Sequence, residues 1–582
     1  MKLWLVSPMT SITGSFQHLQ KTFSKQLQHT SPGPGAEALK MSPTTLSELP
    51  IELLTKVFMN LELNDILRAR TVCKSMHSAS RVLRVWRSFA LRSIGTTLPQ
   101  PFFFPKPLQE CSSSDIESSI RRWEADWALK SPLETVLRPV VMEGQSVMEG
   151  QLGTAGTAKF WSFRMVPGGQ FAIAGMMDGS VWAYDLSDDP ASSSAVRAKL
   201  LVPTPFPSQD RMQLHLAMDY VSDEALGDTR GIYCLSQFNL AVIALPRAPP
   251  NGLRIANISV WRICISRPGN AGTSGRHEIN LGGRLASFMV MADAGFFGLS
   301  LYGKAIAYGL FFPLGSRCTV IAQWQDANGK KEHDEFLCWY IPDTLPMASH
   351  LLPGDRIILA EHTTVTMYNW RLHCPTSTLP LSEHQLRQLE RVPLRNVHTL
   401  VASASDISIS SPFLMRGTTR LVVLTREALH SLTIPVDGDN SQAGAIQESQ
   451  LLLRASDFCP SGRFAAPWYF ELVELGFCRA VGIHGGKDLS AIYAVQYRVE
   501  DDHVPETAPY QPTYERHPHT FDRRPSHILY DQFTNRVVLT DIKLSHFITL
   551  SSHASHAVDD DEVLVEGRED DMIEGTFPSA AN

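Results

Sequence analysis

The sequence predicts an α+β multidomain protein: a small three-helix module near the amino end, then a large all-β domain, a degenerate β-propeller of six to eight blades. Three observations predict it. Apolar residues recur at helical spacing between about 46 and 95 and again at about 115–130. From about 155 to 552 that periodicity gives way to short β-type runs separated by turn residues. The chain has 582 residues, too many for one ordinary core, with 43% hydrophobic and 19% charged residues, as in globular proteins.

Charge and cysteine usage exclude several classes of function. The net charge is −7 and the pI about 6.3, which leaves no excess of positive charge to neutralise phosphates, so no nucleic-acid partner is expected. Nine cysteines are scattered without a Cys-x-x-Cys pair. A disulfide framework or a zinc cluster needs tighter spacing, so reduced thiols in the cytoplasm or nucleus are expected. The only apolar run at the start, Leu3 to Val6, is too short for a signal-peptide core. Residues 285–316 carry only Asp293 and Lys304 as charges, but Lys304 and four glycines interrupt the apolar part. Paired buried strands fit that stretch better than a membrane helix.

Residues 1–43, rich in Ser, Gln, Pro and Gly, read as a disordered leader. The helical module occupies 44–95. Residues 96–154 read as a linker with one helix at about 115–130, where Asp115 can cap a face of Ile116, Ile120, Trp123 and Trp127. The β domain is expected over 155–552 and an acidic disordered tail over 553–582.

Within the β domain, residues 160–186 read as three strands with turns at Gly168-Gly169 and Asp178-Gly179. Strands or hairpins follow at 258–266, 318–342, 355–370, 419–435, 462–473, 490–499 and 528–542. A propeller blade takes about 40–50 residues, so this length accommodates six to eight. The 160–186 unit ends in Ala-Tyr-Asp-Leu, where a WD-type blade shows Trp-Asp, and the other units do not keep that signature. A stacked β-sandwich array is the alternative.

In the helical module, Ser47 can cap a helix that Pro50 opens. Leu53, Leu54, Val57, Phe58 and Leu61 mark one apolar face. Asn64 or Asp65 can cap a second helix with Ile66, Leu67, Ala69, Val72 and Cys73, and Met76, Val82, Leu83 and Trp86 belong to a third stretch. About 45 residues bury too little surface to be comfortable alone, so leftover apolar surface should meet a partner or a neighbouring domain.

Leu49-Pro50, Glu52-Leu53-Leu54, Val57-Phe58, Leu61, Asp65-Ile66-Leu67 and Val72-Cys73-Lys74 stand in the order and spacing of an F-box, with Trp86 near that family's terminal tryptophan. Residues 46–90 therefore resemble an F-box. Met76 stands near the place of a further family tryptophan. The whole chain resembles fungal F-box proteins with degenerate β-repeat C-terminal halves. The resemblance implies that Leu49, Pro50, Leu53, Leu54, Val57, Leu61, Ile66, Val72 and Met76 form a surface for a Skp1-like adaptor and, through it, a cullin. It implies a substrate-recognition subunit of an SCF-type ubiquitin ligase, with the β domain holding a protein target. The alternatives are an F-box scaffold without a role in ubiquitination, and an enzyme with an unrecognised site in the β domain.

Other chemistry finds little support. In Val481–Ser490 the spacing of a phosphate loop is wrong, and Asp488 follows Lys487 where Ser or Thr is needed. His517 and His519 could reach a metal, but Arg516, Arg523 and Arg524 disfavour a cation. His553 and His556 read as exposed. Trp182, Trp261, Trp324, Trp339, Trp370 and Trp468 read as packing in or beside strands. No catalytic residue, metal ligand, cofactor or membrane contact is expected.

Overall fold

Pro50 opens the first helix, where its missing N–H leaves nothing unsatisfied, and α1 (Ile51–Phe58) follows with Glu52 in its first turn and Lys56 in its last. The computed structural model describes residues 49–124, 134–142 and, with gaps between elements, 160–551. The expected leader, Ser47 and the acidic tail with His553 and His556 lie outside the described residues. α2 (Leu63–Arg70) starts one residue before the expected caps. Glu62 holds the cap position without a side-chain bond, and Asn64 and Asp65 lie inside the first turn. The expected third stretch is two helices, α3 (Lys74–Ser80) and α4 (Leu83–Ser93), separated at Arg81, whose N–H bonds the Ser78 carbonyl.

Contacts divide the chain into two units at Val85/Trp86. In the first unit, Leu54, Phe58, Leu63, Ile66, Ala69, Met76 and Ala79 are buried. Arg70 Nε donates to Ser80 Oγ at 3.0 Å, tying α2 to α3.

The second unit begins with Trp86, fully buried and edge-on to Phe89 at 6.2 Å. α5 (Ser113–Glu124) is held by a reciprocal pair: the Asp115 N–H donates to Ser112 Oγ (3.1 Å) and the Ser112 N–H to Asp115 Oδ2 (3.0 Å). Ser112 is thus the cap and Asp115 the residue three positions on that reaches back, which corrects the expected assignment. Burial raises the Asp115 pKa, but the Ser112 bonds and the Lys106 charge outweigh it and hold the carboxyl below its ordinary value.

Seven blades of four principal strands follow among the described residues, in six hydrogen-bonded sheets, because β1 joins the first and last blades into one eight-stranded sheet. The earliest strand, β1 (Glu134–Met142), belongs to the last of them. Blade 1 is β2 (Phe160–Met165), β3 (Phe171–Met176), β4 (Val181–Asp185) and β5 (Val196–Val202). Blade 2 is β6 (Met212–Asp219), β7 (Gln237–Pro246), β8 (Ile255–Ser266) and β9 (Glu278–Met291). Blade 3 is β10 (Gly295–Tyr302), β11 (Ala305–Phe311), β12 (Arg317–Gln323) and β13 (Cys338–Pro342). Blade 4 is β14 (Ala348–Leu352), β15 (Arg356–Ala360), β16 (Thr364–Asn369) and β18 (His398–Val401), with the short β17 (Thr376–Ser377) edging β13. Blade 5 is β19 (Ser408–Ile409), β21 (Thr418–Leu424), β22 (Ala428–Pro435) and β23 (Gln447–Arg454), with β20 (Phe413–Met415) also on β21. Blade 6 is β24 (Phe470–Leu475), β25 (Arg479–Gly485), β26 (Ser490–Gln496) and β27 (Glu515–Pro518). Blade 7 is β28 (His527–Asp531), β29 (Arg536–Thr540), β30 (His546–Ser551) and β1.

The chain therefore closes on itself. Glu134–Pro139 pairs antiparallel with β30, and Val140–Met142 pairs parallel with β5, with Pro139 at the changeover. Residues 96–154, expected as a linker, thus contain a strand of the β domain. Turn chemistry appears where the sequence places it: Gly168 and Gly169 take φ of +95° and +66° between β2 and β3. A side chain at Gly169 would meet Thr534 Oγ1 at 2.5 Å, because blade 7 packs on this turn.

Cores lie between blades. Ile173 meets Leu214 and Phe238; Ile258 and Phe288 share a cluster with Tyr308 and Tyr340; Trp339 packs on Trp370; Val365 shares a cluster with Leu421. Arg420 stacks over Phe477 at 4.3 Å between blades 5 and 6. The Phe477 N–H bonds Gln532, linking blade 6 to the turn after β28 in blade 7. Phe547 packs on Tyr184 at 5.0 Å, and Arg536 donates to the Gly169 and Leu186 carbonyls, closing blade 7 on blade 1. Each fully buried apolar side chain of this kind contributes roughly 1.5–3 kcal/mol. The fold is a degenerate propeller rather than stacked sandwiches, because the first strands of all seven blades converge on one cavity. Residues 285–316 are strands, as expected, and no helix among the described residues is long and apolar enough to cross a membrane.

The segment ahead of β1 is built into this domain. Gln100 pairs with Leu414, and the Phe104 N–H bonds the Tyr233 carbonyl. Trp123 stacks on Phe533 at 5.2 Å and lies beside Phe477 and Phe102, while Arg479 donates to its carbonyl. Trp123→Ala is expected to destabilise the β domain by about 3–5 kcal/mol, read as a lower urea midpoint with an unchanged slope. A shift under about 1 kcal/mol, the size of a typical surface effect, would show that this anchoring is not needed.

Candidate functional site

The helical unit presents two rows of apolar side chains. Leu54 and Phe58 point into the bundle with Ile66 and Met76, at 1%, 2%, 0% and 4% exposure. One helical step around, Leu49, Leu53 and Val57 form a second row spaced by four residues. Leu49, Val57 and Leu61 are half-buried; Pro50, Ile51 and Leu53 are exposed. Val72, just after α2, is 64% exposed, an unusual place for a β-branched apolar residue. Of the nine residues nominated from sequence, six are thus accessible. Leu54, Ile66 and Met76 are interior and can only shape the surface from beneath.

In the β domain, the cavity where the inner strands meet has a volume of about 440 Å³. Arg164 of β2, His350 of β14 and Glu474 of β24 line it, and Asp219, Tyr220 and Asp531 stand at the strand ends. Burial, with the Arg164 charge added, pushes His215, His350 and His527 down to about 4. Burial pushes Glu474 up to about 7 although Arg164 pulls the other way. Asp531 is pushed up to about 6 by burial, against hydrogen bonds from Thr534 and nearby amides. Sequence reasoning nominated none of these groups.

Residues 46–88 match the F-box domain family. That match decides what the helical unit is. Residues 46–88 are an F-box. No curated protein matches the chain. Among solved structures it is similar to the β-propeller domain of Cps50 (Swd1) from Myceliophteria thermophila. The likeness has 10% identity and a TM-score of 0.35, and covers 68% of this chain and 97% of that one. The blade assignment rests on strand order, not on this likeness. The chain thus joins an F-box to a propeller-like C-terminal half, the make-up of an SCF-type substrate receptor in general.

Beyond the F-box, several other candidates can now be located. Trp324, Trp339 and Trp370 are buried packing residues; Trp182 and Trp261 are half-buried; Trp468 lies outside the described residues. His517 and Arg516 sit on β27, whereas His519, Lys487 and Asp488 lie outside the described residues. The eight cysteines among the described residues are free thiols, and no group of three or more His, Cys, Asp or Glu there is placed for a metal. A repeat signal was present but unread. Ser180-Val181-Trp182 opens the third strand of blade 1 and Ser259-Val260-Trp261 lies in the third strand of blade 2, and in both the indole donates to the serine hydroxyl at 2.9 Å.

The channel groups predict a pH effect. His350 titrates near 6.5 when unfolded and near 4 when folded. Between those values the folded state binds fewer protons, so its contribution to stability is present above pH 6.5 and is lost as pH falls toward 4. His350→Gln is expected to make the melting temperature fall less between pH 7 and pH 5 than it does in the parent chain. An equal or larger fall would contradict the placement of this imidazole.

Proposed function

We propose that this chain is the substrate-recognition subunit of an SCF-type ubiquitin ligase, working in the cytoplasm or nucleus: its F-box binds a Skp1-like adaptor and its propeller holds a target protein. The observation that carries the reading is the accessible apolar row Leu49, Pro50, Leu53, Val57, Leu61 and Val72 on a match to the F-box family. Aliphatic anchors set in complementary pockets dominate such helical interfaces. The mechanism is proximity: the F-box ties the receptor to a cullin-based ligase through the adaptor, and tethering raises the target's effective concentration near the activated ubiquitin. No catalytic side chain of this chain is required.

An enzyme in the β domain would call for convergent polar groups with displaced pKa values, and the channel has them. Arg164, His350 and Glu474 nevertheless make no hydrogen bond to one another, and the hydroxyl–carboxylate pairs at the strand ends, Ser222 with Asp219 and Thr534 with Asp531, belong to turns in which the carboxylate also accepts from backbone amides. We read the channel as binding chemistry. The test is to purify the chain with Skp1 and the cullin and identify co-isolated proteins by mass spectrometry. Leu49→Asp with Pro50→Ala is expected to abolish Skp1 capture while the β domain stays folded. Full capture by that double variant refutes the interface.

A further inference from the structure

The channel contains a charge arrangement that the F-box does not use. Its volume of about 440 Å³ falls in the range of ligand pockets. One end has an apolar floor: Pro101 stands there with Phe413, Leu414 and Phe533, at the finishing ends of the inner strands. The walls bring a guanidinium and a carboxyl, Arg164 and Glu474, into one space. Neither makes a salt bridge among the described residues, although the Arg164 charge acts on Glu474 across the shared space. Arg164 makes a single hydrogen bond, a long one of 3.4 Å to the carbonyl of its own neighbour Phe163, and Glu474 makes none. Arg164 is exposed to the channel and Glu474 is half-buried there, so both heads are open to a ligand. A guanidinium presents a planar fork of donors that matches a carboxylate, whereas a carboxylate accepts N–H donors. His350, held neutral, adds a polar group without adding charge.

We propose that the channel is a recognition site for a carboxylate with an N–H group beside it, the carboxylate seated on Arg164 and the N–H on Glu474. Two sources share that chemistry: the C-terminus of a peptide chain and a free α-amino acid. If the source is a peptide terminus, the channel is the part of the propeller that reads the target, and to that extent the proposal rests on the receptor reading.

The test is calorimetric titration of the full-length chain with acetyl-trialanine, its C-terminal amide, and glycine. Saturable binding of the free-acid peptide, at least 10-fold weaker for the amide, is the expected result for a terminus; saturable binding of glycine alone assigns the site to free amino acids. Arg164→Gln is expected to weaken the bound probe at least 10-fold, Arg164→Lys less, and Glu474→Gln to weaken it with the carboxylate still required. Melting temperature serves as the folding control. Equal binding of acid and amide, an unchanged affinity in Arg164→Gln, or no saturable binding of any probe at millimolar concentration overturns the proposal. Skp1 capture is a separate readout, so failure here leaves the F-box reading standing, and loss of Skp1 capture leaves this one standing.

Discussion

Leu53→Asp combined with Val72→Asp is expected to lower affinity for Skp1 by about 100-fold or more, while the chain stays folded. Leu53 is 36% exposed and Val72 is 64% exposed, so neither substitution opens a cavity or buries a charge in the isolated protein. In a complex both carboxylates would be desolvated against an apolar surface. Two anchors of a helical interface are each worth about 2 kcal/mol or more, and every 1.4 kcal/mol is about tenfold in affinity. Ile66→Ala offers the contrast. Ile66 has no exposed surface, and its loss is expected to cost about 2–5 kcal/mol of stability. It reduces capture only through unfolding of the module. Surface plasmon resonance on immobilised Skp1, with circular dichroism of each variant, separates the two. Unchanged binding by the double aspartate variant, or its loss together with helicity, contradicts the outward assignment of Leu53 and Val72.

A fragment that starts at residue 155 is expected to be insoluble or to melt well below one that starts at Trp86. Truncation at 155 removes β1, which leaves the β30 edge unpaired over His546–Ser551 and breaks the join to β5. An unpaired edge strand is a template for aggregation. The same cut removes Phe102 and Trp123, exposing Phe533 and Phe477 beneath them. Expression of both fragments with size-exclusion chromatography and differential scanning calorimetry checks this. Equal solubility and equal melting temperature would mean that β1 and the preceding segment are dispensable.

What could be read from the sequence was short-range. The F-box announced itself because Leu49 to Lys74 carry both helical periodicity and family spacing in one unbroken run. The hairpins were readable where turn residues such as Gly168-Gly169 and Asp178-Gly179 fix them locally. Closure of the ring was not, because β1 finds β30 more than 400 residues away, as with Glu134 and Ser551, and local pattern contains no such pairing information. The split between Leu53 and Leu54 escaped for a related reason: helical spacing says which residues share a face, but only packing decides which of two adjacent rows is covered. Arg164 and Glu474 carry no motif at all. They line one cavity because the inner strands of blades 1 and 6 both face it. The paired Ser-Val-Trp segments, in contrast, were available to a comparison of the chain with itself.

Hydrogen exchange of the full-length chain with and without Skp1 tests the adaptor claim most directly. The account predicts slowed exchange at amides of 49–61 and 71–76, with the propeller strands unchanged. Protection confined to the propeller, or none at saturating Skp1, would contradict it.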